Sequence, residues 1–236
     1  MSKPKKVKKE RDRSVFREYF ELIAETAVFV FFVMTFVVQA FQIPTGSMES
    51  TLLVGDFLLV NKFAYARTVL PLEDKILPHK KLDVKDIIVF RYPEDLTKDY
   101  VKRVIALEGD IVEIRDKQVF VNGIPLAENY KVHIDSSIIP GTESYRFGVR
   151  VRDNFGPLTV PRGHCFAMGD NRDNSQDSRV WGTLPLKYVK GRPWVIYFSY
   201  DAEREAHLKT GAKERLQKYG RFITRARLNR LLHVIR

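Results

Sequence analysis

From Leu22 to Phe41 the chain is apolar for twenty residues, broken only by Glu25, Thr26, Thr35 and Gln39. Twenty residues of helix are about 30 Å long, the thickness of a bilayer core. A helix buried in a soluble core keeps a polar face, and TAVFVFFVMTFVV has none. The segment 22–41 therefore reads as a transmembrane helix. Lys3, Lys5, Lys6, Lys8, Lys9, Arg11, Arg13 and Arg17 precede it. That positive flank places 1–21 in the cytoplasm and everything after Phe41 outside. Val38-Gln39-Ala40 also carries small residues at the spacing of a cleavable secretory signal. The apolar stretch is longer than a signal core and Pro44 follows closely, so the span is read as retained.

At 236 residues, the rest of the chain holds one medium domain, and 44% hydrophobic content is ample for its core. The net charge of +11 fits either nucleic acid or an anionic membrane. Its concentration beside the apolar span and in a second basic block, 209–236, favours the membrane. Cys165 is the single cysteine, so an exported domain folds without an internal disulfide. In GHCFAMGD it reads as a buried structural thiol. His79, His133, His164, His207 and His233 are scattered, without metal-ligand spacing or the makings of a Ser–His–Asp triad.

FLLVNKF, DIIVFRY, YVKRVIAL, DIVEIRDKQVFVNGIPL and PWVIYFSY are β-branched and aromatic runs bounded by turn residues. They predict a mostly β domain over 42–200. Asn122-Gly123 between QVFV and IPL marks a hairpin. The region of about 111–160 reads as that hairpin plus a polar, irregular excursion from about Asn129 to Asn154. The run GDNRDNSQDSRVWG, Gly169 to Gly182, has the composition of a folded loop rather than of a helix or strand. It predicts ion pairing of Asp170, Asp173 and Asp177 with Arg172 and Arg179. A calcium loop is a poor match, because no glutamate follows at the needed offset and two arginines oppose a cation. In Pro44-Thr45-Gly46-Ser47-Met48 the proline fixes the chain's entry and the glycine leaves room for another backbone. Taken alone, Ser47 is either an exposed nucleophile or a helix cap. In DYVKRVIAL, alternation sets Tyr100, Lys102, Val104 and Ala106 on one face and Val101, Arg103 and Ile105 on the other. One cation of the adjacent pair can then face a site, or both can face solvent.

The segments Phe41–Tyr65, Asp99–Asp110 and Gly169–Gly182, in that order, resemble the bacterial type I signal peptidases. These are membrane-bound serine proteases that use a Ser–Lys dyad. The resemblance covers about Phe41 to Gly191, with Thr45 standing where many members carry serine. It implies Ser47 as nucleophile and Lys102 as general base. The Ser47 N–H and the Thr45 hydroxyl would form an oxyanion hole, and Ser175 would hydrogen-bond and position the lysine. Arg103 would pair with an aspartate of the Gly169 loop, and with Gly169, Asp170, Asp177 and Arg179 it would support the site. Phe41, Ile43, Leu52, Tyr100 and Val101 would line shallow pockets for small side chains. It further implies cleavage of preprotein signal peptides after Ala-x-Ala-type sequences by a monomer in the bacterial plasma membrane, with no metal, cofactor or nucleic acid.

Two other classes compete. A self-cleaving Ser–Lys repressor-type protease calls for a DNA-binding domain and an internal Ala-Gly cleavage bond, and neither is visible. A single-span adaptor without catalysis leaves the Gly169 loop unexplained. In the tail, 201–236, a helical pattern sets Ile223, Leu228, Leu231, Leu232 and Ile235 on one side, with much of the arginine charge on the other. That fits a helix lying in an anionic bilayer surface or one packed on the core.

Overall fold

The computed structural model describes residues 15–65, 81–140, 152–202, 222 and 224–235. It divides into two units, Met1–Val37 and Val38–Arg236. In the first, a helix α1 runs from Val15 to Phe32 and continues as a wider turn, Val33–Val37. None of its residues is buried. Arg17 pairs with Glu21 one turn on, and the Thr26 hydroxyl donates to the Leu22 carbonyl, so polar groups are satisfied within the helix. Its bounds differ from the expected 22–41. It starts earlier, and Val38–Phe41 belong instead to a strand, whose ladder with a neighbour satisfies their backbone where a helix was expected to.

The second unit is β-rich, as expected. Its large sheet contains β1 (Val38–Gln42), β2 (Asp56–Asn61), β3 (Ile87–Tyr92) and β4 (Asp95–Leu107). After the smaller sheet, the chain returns to it with β9 (His164–Met168), β10 (Leu184–Pro185), β11 (Val189–Ser199) and β12 (His233–Val234). The order is β1-β2-β11-β3-β4-β9-β10, with β12 also on β11. Both faces of β3 are buried, which explains its unbroken apolar run. Ile87 and Val89 enter one core with Met48, Leu52, Leu58 and Ile196, whereas Ile88 and Phe90 enter another with Cys165 and Leu184. A bulge in the pairing of β4 with β9 falls between Val104 and Ala106. It moves Ala106 into the same cluster as Ile105 and away from Val104, so the predicted alternation ends there.

The region of 111–160 is a sheet of its own, ordered β7-β6-β5-β8. It comprises β5 (Ile111–Arg115), β6 (Gln118–Val121), β7 (Ile124–Pro125) and β8 (Phe155–Thr159). Asn122 and Gly123 take positive φ of 53° and 78° and pair Val121 with Ile124, the expected hairpin. Asp116 and Lys117, at 47° and 69°, make a second one without glycine. Strand β8, FGPLT, carries no strand signature because glycine and proline weaken its pattern.

Among the described residues of the tail, Phe222 and Thr224 are helical, as expected, but from Arg225 onward the chain leaves the helix. Residues 203–221 and Ile223 lie outside the described residues. Ala226 bridges to Tyr200, a single tight turn spans Leu228–Arg230, and β12 pairs with β11. Ile235 is buried with Met48 and Leu52. Arg230 forks onto the carboxylate of the fully buried Asp56 at 3.1 and 2.7 Å. Burial of Ile235 and satisfaction of Asp56 prevail over helical periodicity.

Candidate active site

β1 leads through Ile43, Pro44 and Thr45 into a tight turn, Gly46–Met48. The turn is anchored from below, since Met48 is buried and the Leu52 amide donates to its carbonyl at 2.8 Å. Ser47 stands on the exposed side. Lys102 comes from β4, opposite Ile88 of β3. On the other side of β4, β9 begins to pair only at Arg103, opposite Met168. Lys102 therefore sits where a partner strand has turned away, and its amine reaches Ser47 Oγ at 2.6 Å.

Lys102 is 3% exposed, with its amine 5.5 Å from the centroid of the Tyr100 ring. Burial disfavours the ammonium and pushes its pKa down from 10.5 to about 8. Asp177 and Asp170 act the other way, and Arg179 adds to the lowering. The Gly169 loop thus places carboxylates near the amine, with Arg179 offsetting part of their effect and burial outweighing the rest. Arg179 forks onto Asp177 at 2.9 and 2.7 Å, and Arg103 forks onto Asp170 at 2.9 and 2.7 Å. Asp177 stays below the ordinary carboxylate range: its burial opposes ionisation, and Arg179 overcomes that.

Asp177–Arg179 is an ion pair within the loop, as expected. Arg172, however, pairs with Glu128, whereas Asp170 meets Arg103 of β4, the loop pairing that the resemblance implied for Arg103. Asp173 meets Lys117 and His133. Beside the internal Asp177–Arg179 pair, the loop is bolted to other segments, and its partners Glu128, Lys117 and His133 could not be read from sequence spacing.

Gly169 lies between the Ser47 turn and Ser175. A β-carbon there would come within 2.3 Å of Ser175 Oγ and 2.4 Å of the Ser47 carbonyl oxygen. Ser175 itself corrects an expectation. It is buried, and the hydrogen bond from its hydroxyl to Lys102 is not formed. The lysine is turned to Ser47, while the Ser175 hydroxyl is held against Gly169. Thr45 is extended and exposed beside Ser47, and its hydroxyl makes no capping bond to the turn.

A cleft of about 320 Å³ opens at Ser47 and Lys102. Phe41, Ile43, Tyr100 and Val101 line it, as the sequence suggested. Leu52 does not: it is fully buried in the core beneath, because the chain folds back under the turn from Met48 to Leu52. Met48, Val89, Asn174 and Gln176 also line the cleft and were missed. Val89 could have been found only from its pairing with Val101. Cys165 is the buried thiol expected, with burial pushing its pKa up to about 12.

The family described as Signal peptidase, peptidase S26 matches residues 16–198. The chain belongs to this family. A signal peptidase I of Pseudomonas fluorescens is 35% identical over 215 residues, covering 81% of this chain and 75% of that protein. One from Pseudomonas aeruginosa is 35% identical over 214 residues, with the same coverage. A crystal structure of a signal peptidase I from Enterococcus faecalis shares 32% identity over 48% of this chain and 97% of its own, with a TM-score of 0.37. As a member of the signal peptidase family, the chain is a serine endopeptidase.

Proposed function

We propose that this enzyme removes signal peptides from exported preproteins by a Ser47–Lys102 dyad, anchored in the plasma membrane by one N-terminal span. The 2.6 Å contact between a buried, pKa-lowered amine and a serine hydroxyl carries the reading. With the pKa near 8, about one lysine in ten is neutral at pH 7, against about one in 2,500 in water. The neutral amine takes the Ser47 proton as Oγ attacks the scissile carbonyl, and then gives it to the leaving amine. Water, deprotonated by the same lysine, releases the acyl group. The Ser47 N–H and the Thr45 hydroxyl are the oxyanion donors.

Strand edges supply the substrate groove. Among the described residues β1 pairs with β2 alone, and Asp99–Lys102 of β4 have no partner on the β9 side. Both segments line the cleft, so an extended peptide can add as a strand between them. Phe41, Ile43 and Val101 make shallow apolar walls that favour small side chains of the Ala-x-Ala type. The helix Val15–Val37 is about 34 Å long, enough to cross a bilayer core. The basic residues before it favour a cytoplasmic N-terminus, with catalysis outside by a monomer. Ser47→Ala and Lys102→Ala should each abolish preprotein cleavage by purified enzyme, and an acylating inhibitor should map to Ser47 by mass. Retained cleavage in either variant overturns the dyad.

A further inference from the structure

Asn171 is fully buried beneath the nucleophile turn and holds it at two consecutive carbonyls. Its side-chain amide donates to the Gly46 carbonyl at 3.1 Å, and its backbone N–H donates to the Ser47 carbonyl at 3.1 Å. The same amide also reaches the Glu49 carboxylate at 3.3 Å. The Glu49 N–H is the second donor to the Gly46 carbonyl, at 3.1 Å.

The Gly46 carbonyl and the Ser47 N–H belong to one peptide unit. In a trans peptide they point in opposite directions. Pinning the carbonyl toward buried Asn171 therefore turns the Ser47 N–H outward, toward the cleft that Thr45, Gly46 and Ser47 line. We infer that Asn171 is a positioning residue for catalysis: its side-chain amide fixes the direction of the Ser47 oxyanion donor. This rests on the Ser47–Lys102 reading above. An N–H worth having in a transition state must be aimed before charge develops, since reorienting a peptide during reaction removes the advantage of a fixed dipole. Asn171 is also bracketed by Asp170 and Arg172, whose ion pairs to Arg103 and Glu128 hold the loop in place.

The test uses the full-length enzyme in detergent with Asn171→Ala and Asn171→Asp. The second keeps the size of the side chain but replaces the donor with an acceptor facing two other oxygens. Rates are expressed per Ser47 site titrated by an acylating inhibitor, which removes unfolded protein from the comparison. The expected result is a loss in kcat on the order of 10- to 100-fold, below the effect of deleting an oxyanion donor outright. KM should stay within about twofold, and the pH profile should keep its acid limb, because Lys102 is untouched. A peptide aldehyde probes the oxyanion directly. Ser47 Oγ adds to its carbonyl carbon, the serine proton passes to Lys102, and the carbonyl oxygen becomes the hemiacetal alkoxide. Its affinity should fall by the same factor as kcat, whereas a cleaved product peptide should bind unchanged. Unchanged aldehyde affinity, a change in KM alone, or the absence of titratable enzyme in both variants would make Asn171 a scaffold residue and overturn the proposal. Failure of the dyad itself would appear separately, as an inhibitor adduct away from Ser47.

Discussion

If Lys102 is the base of the proposed dyad, it trades stability for chemistry. Its pKa falls from 10.5 to about 8 because burial removes water from the ammonium. Catalysis needs the neutral amine, so kcat/KM should rise with pH through an apparent pKa near 8 and level off above it. A profile flat from pH 6 to 9, with chemistry rate-limiting, would exclude lysine as the base. The same shift works against folding. Above pH 10.5 the lysine is neutral in both states and burial carries no charge penalty. As pH falls, the unfolded chain binds the proton first, and below about pH 8 the full penalty of about 3 kcal/mol is present. Lys102→Met, though inactive, should therefore be more stable than the parent by up to about 3 kcal/mol at pH 7. The difference should shrink towards pH 10.5. Denaturant unfolding at several pH values measures it, and a difference independent of pH would mean that Lys102 does not carry this shift.

Among the elements, β4 and the tail mark what could be read from sequence and what could not. The strand character of YVKRVIAL was plain from its β-branched residues, but alternation alone left open whether Lys102, Arg103 or neither faces a site, and only the family resemblance singled out Lys102. That Lys102 reaches Ser47, as the proposed dyad needs, depends on β9 pairing only from Arg103 onward and on the loop beyond β9 turning back over the site. Such a contact joins residues about 70 positions apart and leaves no local trace. Ser175 and Leu52 were misplaced for a related reason, because a motif gives the order of residues but not their rotamers or which side of a turn is buried. In the tail, helical spacing misled because the decisive partners, Asp56 and the Met48–Leu52 core, are some 175 residues earlier in the chain. Arg230 also donates to the Thr51 carbonyl at 3.0 Å, which ties the tail to the segment following Ser47. Arg230→Ala leaves a buried carboxylate without its cation. It should cost roughly 3 kcal/mol, the low end for breaking a buried pair, because the Ser199 hydroxyl and the Leu53 amide still serve Asp56. A loss under 0.5 kcal/mol in denaturant unfolding would show that the tail is not part of the catalytic fold.

For the whole molecule, the tail adds a question of surface. Ile235 is inside, yet Leu228, Leu232 and Val234 are 77%, 68% and 51% exposed, and Trp194 on the neighbouring strand is 59% exposed. Leu232 also sits at φ 55°, a left-handed conformation rarely taken by a leucine. An exposed apolar side chain held at a strained backbone position is a feature that folding alone does not call for. Arg225 and Arg227 on the same segment pair with Asp201, so the apolar side chains are the part of this segment left to a surface. One set of tail side chains locks it to the core, and the exposed set is what the surface-attachment reading of the tail would require. The prediction separates them. Leu228→Ser with Leu232→Ser should leave thermal stability unchanged, since neither side chain is buried. Cleavage of a preprotein embedded in vesicles rich in anionic lipid should fall roughly tenfold, in keeping with two leucines that no longer partition. Cleavage of a soluble peptide should not change. An equal loss on both substrates would return the tail to a purely structural role. No loss on either would leave membrane attachment to the N-terminal span alone.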